Sequence, residues 1–205
     1  MNLKLMLEEA VNQYAGKIAI VLGERRVSYA ELDETSNKVA NALIKMGLGK
    51  GERVVTLLPS SPEFVAMYFG IIKAGGIAVP LDIRYKVEEL APLFGSCQPK
   101  ILVAESDLLE PLVPVLSRFD SVEHVIDLGT RYEGQFLSYR EIMAASSAQG
   151  VEVALEPDDI ATISYTGGPT NRPRGAALSH LSLVTEAIIS ADGFQQTDKD
   201  IMMLF

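Results

Sequence analysis

The stretch "GERVVTLLPSSPEFVAMYFGIIKAGGIAVP", from Gly51 to Pro80, leaves a chain few choices of fold. Arg53 to Pro59 is almost continuously apolar, the pattern of a strand covered on both faces rather than one with a solvated side. Ser61 then stands as an N-cap with Pro62 at the first helical position, and an apolar helix runs on until Gly75 closes it. "IAVP" begins the next strand. Strand, capped helix, glycine stop and strand form the repeating unit of a parallel sheet, because parallel neighbours need a crossover rather than a tight hairpin.

The unit recurs along the chain. "KIAIVLG" and "RRVSY" read as a hairpin turning at Gly23-Glu24. Ser28 and Glu31 have capping-box spacing, and Leu32, Val39, Leu43 and Met46 then follow one helical face to Gly47. The string Ser-Tyr-x-Glu returns at Ser138 to Glu141 and is read as a second helix start, not as a duplicated unit. Beyond Pro80, a helix is expected from after Arg84 to about Gly95, a strand at Lys100 to Ala104, a helix around Leu108 to Phe119, and a strand at His124 to Leu128. The expected fold is α/β, an open and mostly parallel sheet flanked by helices with right-handed crossovers. The softest boundary falls near Pro157, dividing a first α/β subdomain (1–157) from the start of a second (158–205) that comprises a strand, a loop, a helix capped by Ser179 and a last strand "DIMMLF". An apolar strand with no polar tail needs neighbours for both faces, so the chain is read as cut from something longer, with a dimer through that edge as the other reading.

Composition excludes some functions. With 18 Lys and Arg against 27 Asp and Glu, the net charge of −9 repels an extended polyanion, and nucleic acid is not expected as a partner. The single cysteine, Cys97, has no internal disulfide partner and sits in no metal-ligand spacing, which fits a reducing cytoplasm. The N-terminus lacks the apolar core of a secretory signal, and the longest apolar run, Phe64 to Ile72, is far too short to span a membrane.

The least ordinary segment is "ISYTGGPTNRPRGAALSH", Ile163 to His180. It runs from a strand end through glycines, hydroxyls and arginines to a helix start. In an open α/β sheet ligands sit beyond the carboxyl ends of strands, where backbone N–H groups at a helix N-terminus favour anions. Gly167 and Gly168 permit close backbone approach, Thr166 and Thr170 supply hydroxyls, and Arg172 and Arg174 bring positive charge into an acidic chain. The same residues also make an ordinary turn. No Gly-Lys-Ser or Gly-Lys-Thr follows, so the loop is not a Walker A motif, and it is not a dinucleotide fingerprint. His180 follows a capping serine and is read as structural. His124 is read as a packed strand residue, Arg84 as structural, and Asp158-Asp159 as a strand approach and no metal pair.

This loop resembles the phosphate-binding signature of the AMP-forming acyl-CoA synthetases, in the adenylate-forming (AMP-dependent synthetase and ligase) superfamily. Tyr165, Thr166, Gly168, Thr170, Pro173, Gly175, Ser179 and His180 match that signature. The segments "SYAELDETSNKVANAL", "GERVVTLLPSSPEFVAMYFGIIKAGGIAVPLDIRYKVEEL" and "KILVAES" resemble the family's first subdomain in order and spacing, so the resemblance covers nearly the whole chain. The loop departs from the pattern at Gly167, where the family has Ser, at Pro169 for Thr, at Asn171 for Gly and at Arg174 for Lys. Pro169 has neither hydroxyl nor N–H, and with Gly167 it removes up to three phosphate donors.

The resemblance implies an ATP-dependent carboxylate–CoA ligase that forms acyl-AMP and pyrophosphate, then transfers the acyl group to coenzyme A. It implies ATP or AMP, Mg2+ and coenzyme A as cofactors, and a cytoplasmic enzyme of fatty acid or related carboxylate metabolism. Carried over residue by residue, the nucleotide-binding positions are Thr166, Gly167, Gly168, Thr170, Asn171, Arg174 and Gly175. No catalytic residue and no metal ligand is assigned, and the chain alone is expected not to catalyse adenylation. The other reading is a degenerate module that binds a nucleotide or a partner without chemistry.

Overall fold

The computed structural model describes residues 1–166 and 174–202. Helix α1 (Leu3–Tyr14) leads into a hairpin of β1 (Ile18–Leu22) and β2 (Arg25–Ser28), then α2 (Tyr29–Lys45). Strand β3 (Arg53–Leu57), α3 (Pro62–Lys73), β4 (Ile77–Pro80), α4 (Val87–Cys97) and β5 (Ile101–Ala104) form the central run. After these come α5 (Ser106–Leu109), a 3-10 turn (Val113–Arg118), β6 (His124–Asp127), β7 (Leu137–Ser138), α6 (Tyr139–Ala145), β8 (Ile160–Thr166), β9 (Arg174–Ser179) and α7 (His180–Gly193).

Seven strands build one sheet in the order β7-β6-β5-β3-β4-β8-β9. Every neighbouring pair is parallel except β8–β9. The near-continuous apolar strands explain themselves here, because successive residues of each strand feed opposite layers. Val54, Ala78, Ile101 and Val103 pack with Val39, Leu43, Met67 and Ile71 of α2 and α3 on one face. Val55, Leu57, Val79, Leu102 and Ala104 pack with Leu90, Leu93 and Phe94 of α4 on the other. With both faces covered there is no solvated side for polar residues to occupy.

The caps behave as their sequence spacing requires. Ser28 and Glu31 form a complete capping box, and Ser61 Oγ accepts from Phe64 N with Pro62 in the first turn. Gly47 and Gly75 end α2 and α3 with φ of +83° and +80°, values that glycine adopts without the Cβ penalty.

Three expectations are corrected, and one helix joins the elements read from the sequence. Helix α1 was not anticipated; Asn2 caps it by accepting from Leu5 N. The single helix around Leu108–Phe119 is instead the short α5 and the 3-10 turn, since Pro111 and Pro114 interrupt helical hydrogen bonding. Asp200, Ile201 and Met202 belong to no strand, and Met203, Leu204 and Phe205 lie outside the described residues. The loop after Thr166 does not lead directly into a helix: β9 intervenes, antiparallel to β8. Strand β8, which follows Pro157, enters the same sheet beside β4 through the pair Ala78 and Thr162.

Candidate functional site

Because β3, β4, β5, β6 and β8 run parallel, their carboxyl ends share one rim of the sheet. The residues that leave these strands therefore meet there: Ser60 and Ser61 after β3, Asp82 and Arg84 after β4, Glu105 after β5, Gly129 after β6, and the loop after β8. This is the position where open α/β sheets take ligands.

The loop starts and ends at directly paired residues. Thr166 is in register with Arg174, and Tyr165 with Gly175. The structure thus brings Thr166, Arg174 and Gly175 together at the end of the β8–β9 hairpin. Thr166 and Arg174 are both exposed, so a hydroxyl and a guanidinium stand at the mouth of the loop. Gly167, Gly168, Thr170 and Asn171 lie outside the described residues.

The hairpin corrects the proposed anion cradle. Ser179, which caps α7 by accepting from Ser182 N, pairs with Ile160 at the opposite end of β8 from the loop. The N-terminus of α7 is therefore a full strand length away from Thr166. The dipole of α7 therefore does not serve an anion held at the loop.

Elsewhere the rim is acidic, and Arg25, Arg84 and Arg131 are each paired with carboxylates there. Arg25 makes a bidentate pair with Glu63, at 2.6 and 3.2 Å, and holds that carboxyl below its usual range. Arg84 does the same for Asp82, drawn down to about 2 by hydrogen bonds from its side chain and backbone. Arg131 pairs with Asp107 and Glu110. Burial, reinforced by the charges of Asp127, Glu63 and Asp107, pushes Glu105 up. Asp127 is itself buried and satisfied, accepting from Ser106 Oγ and the N–H of Gly129 and Tyr132. A polyphosphate approaching this rim meets repulsion from the carboxylates, and Arg174 brings positive charge to the loop end.

The remaining candidates resolve into structural contacts. His180 is buried, and its Nδ1 accepts from Leu3 N at 3.4 Å. His124 is half-buried on β6 with Nε2 3.1 Å from the Met46 carbonyl oxygen. Asp159 pairs with Lys50 at 2.7 Å and accepts from Glu156 N. Arg84, exposed, serves Asp82. Cys97 is buried, and burial raises its thiol to about 11, far from reactive thiolate character. No group of three His, Cys, Asp or Glu suited to a metal ion occurs among the described residues.

The role of Tyr165 is missed by sequence reasoning. Its ring lies against the place a Cβ on Gly175 would take, with ring carbons 3.1 Å from that point. The signal is the pairing of an aromatic before the loop with a glycine after it, which becomes legible only once the flanks are read as a hairpin.

A family model described as AMP-binding enzyme matches residues 7–205. The crotonobetaine/carnitine–CoA ligase of Salmonella typhi is 30% identical over 212 residues, which cover 98% of this chain and 41% of the ligase. The ATP-bound structure of MatB from Rhodopseudomonas palustris superposes with a TM-score of 0.85 at 30% identity, over 98% of this chain and 39% of that one. The anthranilate CoA ligase AuaEII, in complex with anthranoyl-AMP, superposes with a TM-score of 0.84 at 26% identity, over 88% of this chain and 35% of that one. The chain thus spans well under half the length of these three proteins.

Proposed function

The chain belongs to the AMP-binding enzyme family, and from that premise we propose that it forms the phosphate-holding part of an ATP-dependent, AMP-forming carboxylate–CoA ligase. Such a ligase joins a carboxylate oxygen to the α-phosphorus of ATP with loss of pyrophosphate. The thiol of coenzyme A then takes the acyl group and AMP departs. The demand on the protein is to fix the triphosphate so that attack is in line, and to offset charge as it builds on the phosphate oxygens.

One observation carries the reading: Thr166 and Arg174 face each other across the mouth of a loop at the carboxyl rim of a parallel sheet. A hydroxyl and a guanidinium are suitable donors for phosphate oxygens. In the proposal Thr166, Gly168, Thr170 and Arg174 contact the β,γ end of ATP, while Gly167, Asn171 and Gly175 shape the backbone. Mg2+ and coenzyme A belong to the proposal through the family, and no step is assigned to them in this chain. The substrate class is a carboxylic acid; the matched ligases act on acids as different as crotonobetaine or carnitine and anthranilate. A cytoplasmic location, a subdomain boundary near Pro157 and a dimer through the C-terminal edge at "DIMMLF" complete the proposal; among the described residues no helix is long and apolar enough to cross a membrane.

Gly167 and Pro169 should leave the loop with a weak grip. Calorimetric titration of the chain with MgATP is expected to give weak binding that Gly167→Ser with Pro169→Thr tightens about tenfold, the regained donors, up to three, adding about 0.5 kcal/mol each. Arg174→Ala should abolish it. Affinity that none of these substitutions changes would sink the phosphate reading and favour a module without chemistry. Incubation with MgATP, coenzyme A and a panel of acids should release no AMP from this chain alone.

A further inference from the structure

The β8–β9 hairpin is held to the sheet by little backbone pairing near the loop. The ladder between β4 and β8 is the pair Ala78 and Thr162, toward the start of β8, and β9 closes the strand order with one side unpaired among the described residues. Thr166 and Arg174 are paired with each other across the hairpin, so something other than the β4–β8 ladder must fix where that paired end lies relative to the sheet.

Side chains of β8 supply it. Ile163 and Tyr165, two residues apart and so on one face of the strand, pack against the layer that contains Leu93, Phe94 and Cys97 of α4. Tyr165 is in cross-strand register with Gly175, and a methyl there would stand 2.9 Å from Ile163 Cγ2 and 3.1 Å from the Tyr165 ring. The glycine therefore leaves the surface over which the ring lies. The ring is part-buried against that layer, to which Cys97 in the last turn of α4 also belongs. The ring thus spans from the returning strand of the hairpin to the layer built with α4, where Leu93 and Phe94 are fully buried.

We propose that Tyr165 is a positioning residue that ties the mouth of the loop to the apolar layer built with α4, with Gly175 as the seat for its ring. It touches no phosphate. It sets where the paired residues Thr166 and Arg174 stand relative to the sheet. The functional half of this inference rests on the phosphate-loop reading; the tether itself does not.

Amide hydrogen exchange and MgATP titration on the whole chain separate the two. With Tyr165→Ala, exchange at Thr166, Arg174 and Gly175 should rise about tenfold or more while amides of β3 and β5 and the melting temperature stay near wild type, the mark of a local opening rather than global unfolding. MgATP affinity should fall about tenfold, as displaced binding groups lose their alignment. Tyr165→Phe keeps the ring and should remain near wild type in both measurements. Gly175→Ala, which keeps the tyrosine but fills its seat, should reproduce the Tyr165→Ala exchange pattern; it decides the matter if Tyr165→Ala does not fold. Faster exchange at the loop mouth with no MgATP binding by any form supports the tether and removes the phosphate reading. Unchanged exchange in both Tyr165→Ala and Gly175→Ala overturns the tether, and wild-type MgATP affinity in both overturns its positioning role.

Discussion

Lys73 shows how a single residue can cost stability and still be kept. Its ammonium is 1% exposed and donates to Asp33 Oδ1 at 2.6 Å and Asn37 Oδ1 at 2.7 Å, joining α3 to α2. Burial outweighs the attraction of Asp33, so the group is held below its ordinary value. The pair is thus a device for registering two helices more than a source of net stability. The consequence is asymmetric. Asp33→Ala strands a buried cation and should cost about 3 kcal/mol, whereas Lys73→Met replaces it with an apolar chain of similar length and should cost clearly less. Urea unfolding of the two variants checks the order; an equal or larger loss for Lys73→Met would show that the pair stabilises outright.

At the scale of the element, two copies of one string behave differently. In α2, Ser28 N donates to Glu31 Oε2 at 2.8 Å and Glu31 N donates to Ser28 Oγ at 3.2 Å, so both halves of the box are made. In α6, Glu141 N reaches Ser138 Oγ at 3.4 Å, and no return bond from Ser138 N to Glu141 accompanies it. Ser28→Ala should therefore cost about 1 kcal/mol and Ser138→Ala a fraction of that, read from thermal melts. Both helix starts were legible because capping is local chemistry, decided within a few residues. The central strands were legible because burial on two faces writes a continuous apolar run. β9 was not: "RGAALS" carries no alternation and no β-branched residue, and it becomes a strand because β8 offers it a partner. That one missed element also moved the site, since it carries the N-terminus of α7 away from Thr166. The residues of the loop were readable from their chemistry and their resemblance, but the tie through Tyr165 needed the register of the hairpin.

Across the whole molecule, the two ends of the described chain are closed on each other through one buried imidazole. Leu3 N donates to His180 Nδ1 over a separation of 177 residues, which joins α1 to α7, and Asn2 Nδ2 and Lys4 Nζ reach the carbonyls of Leu155 and Val151 beside it. An accepting Nδ1 requires the neutral ring. Burial lowers the His180 pKa from its ordinary value; the charge of Asp159 opposes that shift in part, and Lys50 adds to it. The folded chain therefore resists the proton that the unfolded chain takes up below about pH 6.5. The stability owed to this group is complete above that value and is lost as pH falls from there toward the depressed pKa of the fold. Asp82, held near 2, and Asp159 are also depressed, but carboxylates lose their contribution at lower pH, below the histidine window. The melting temperature should thus fall between about pH 7 and pH 5 in the wild type and stay nearly level there in His180→Gln, which is neutral throughout. Exchange at Leu3 N should quicken over the same interval, ahead of the central strands. If the variant follows the wild-type slope, the closure does not titrate through His180, and the acid sensitivity must be sought in the ion pairs of the rim.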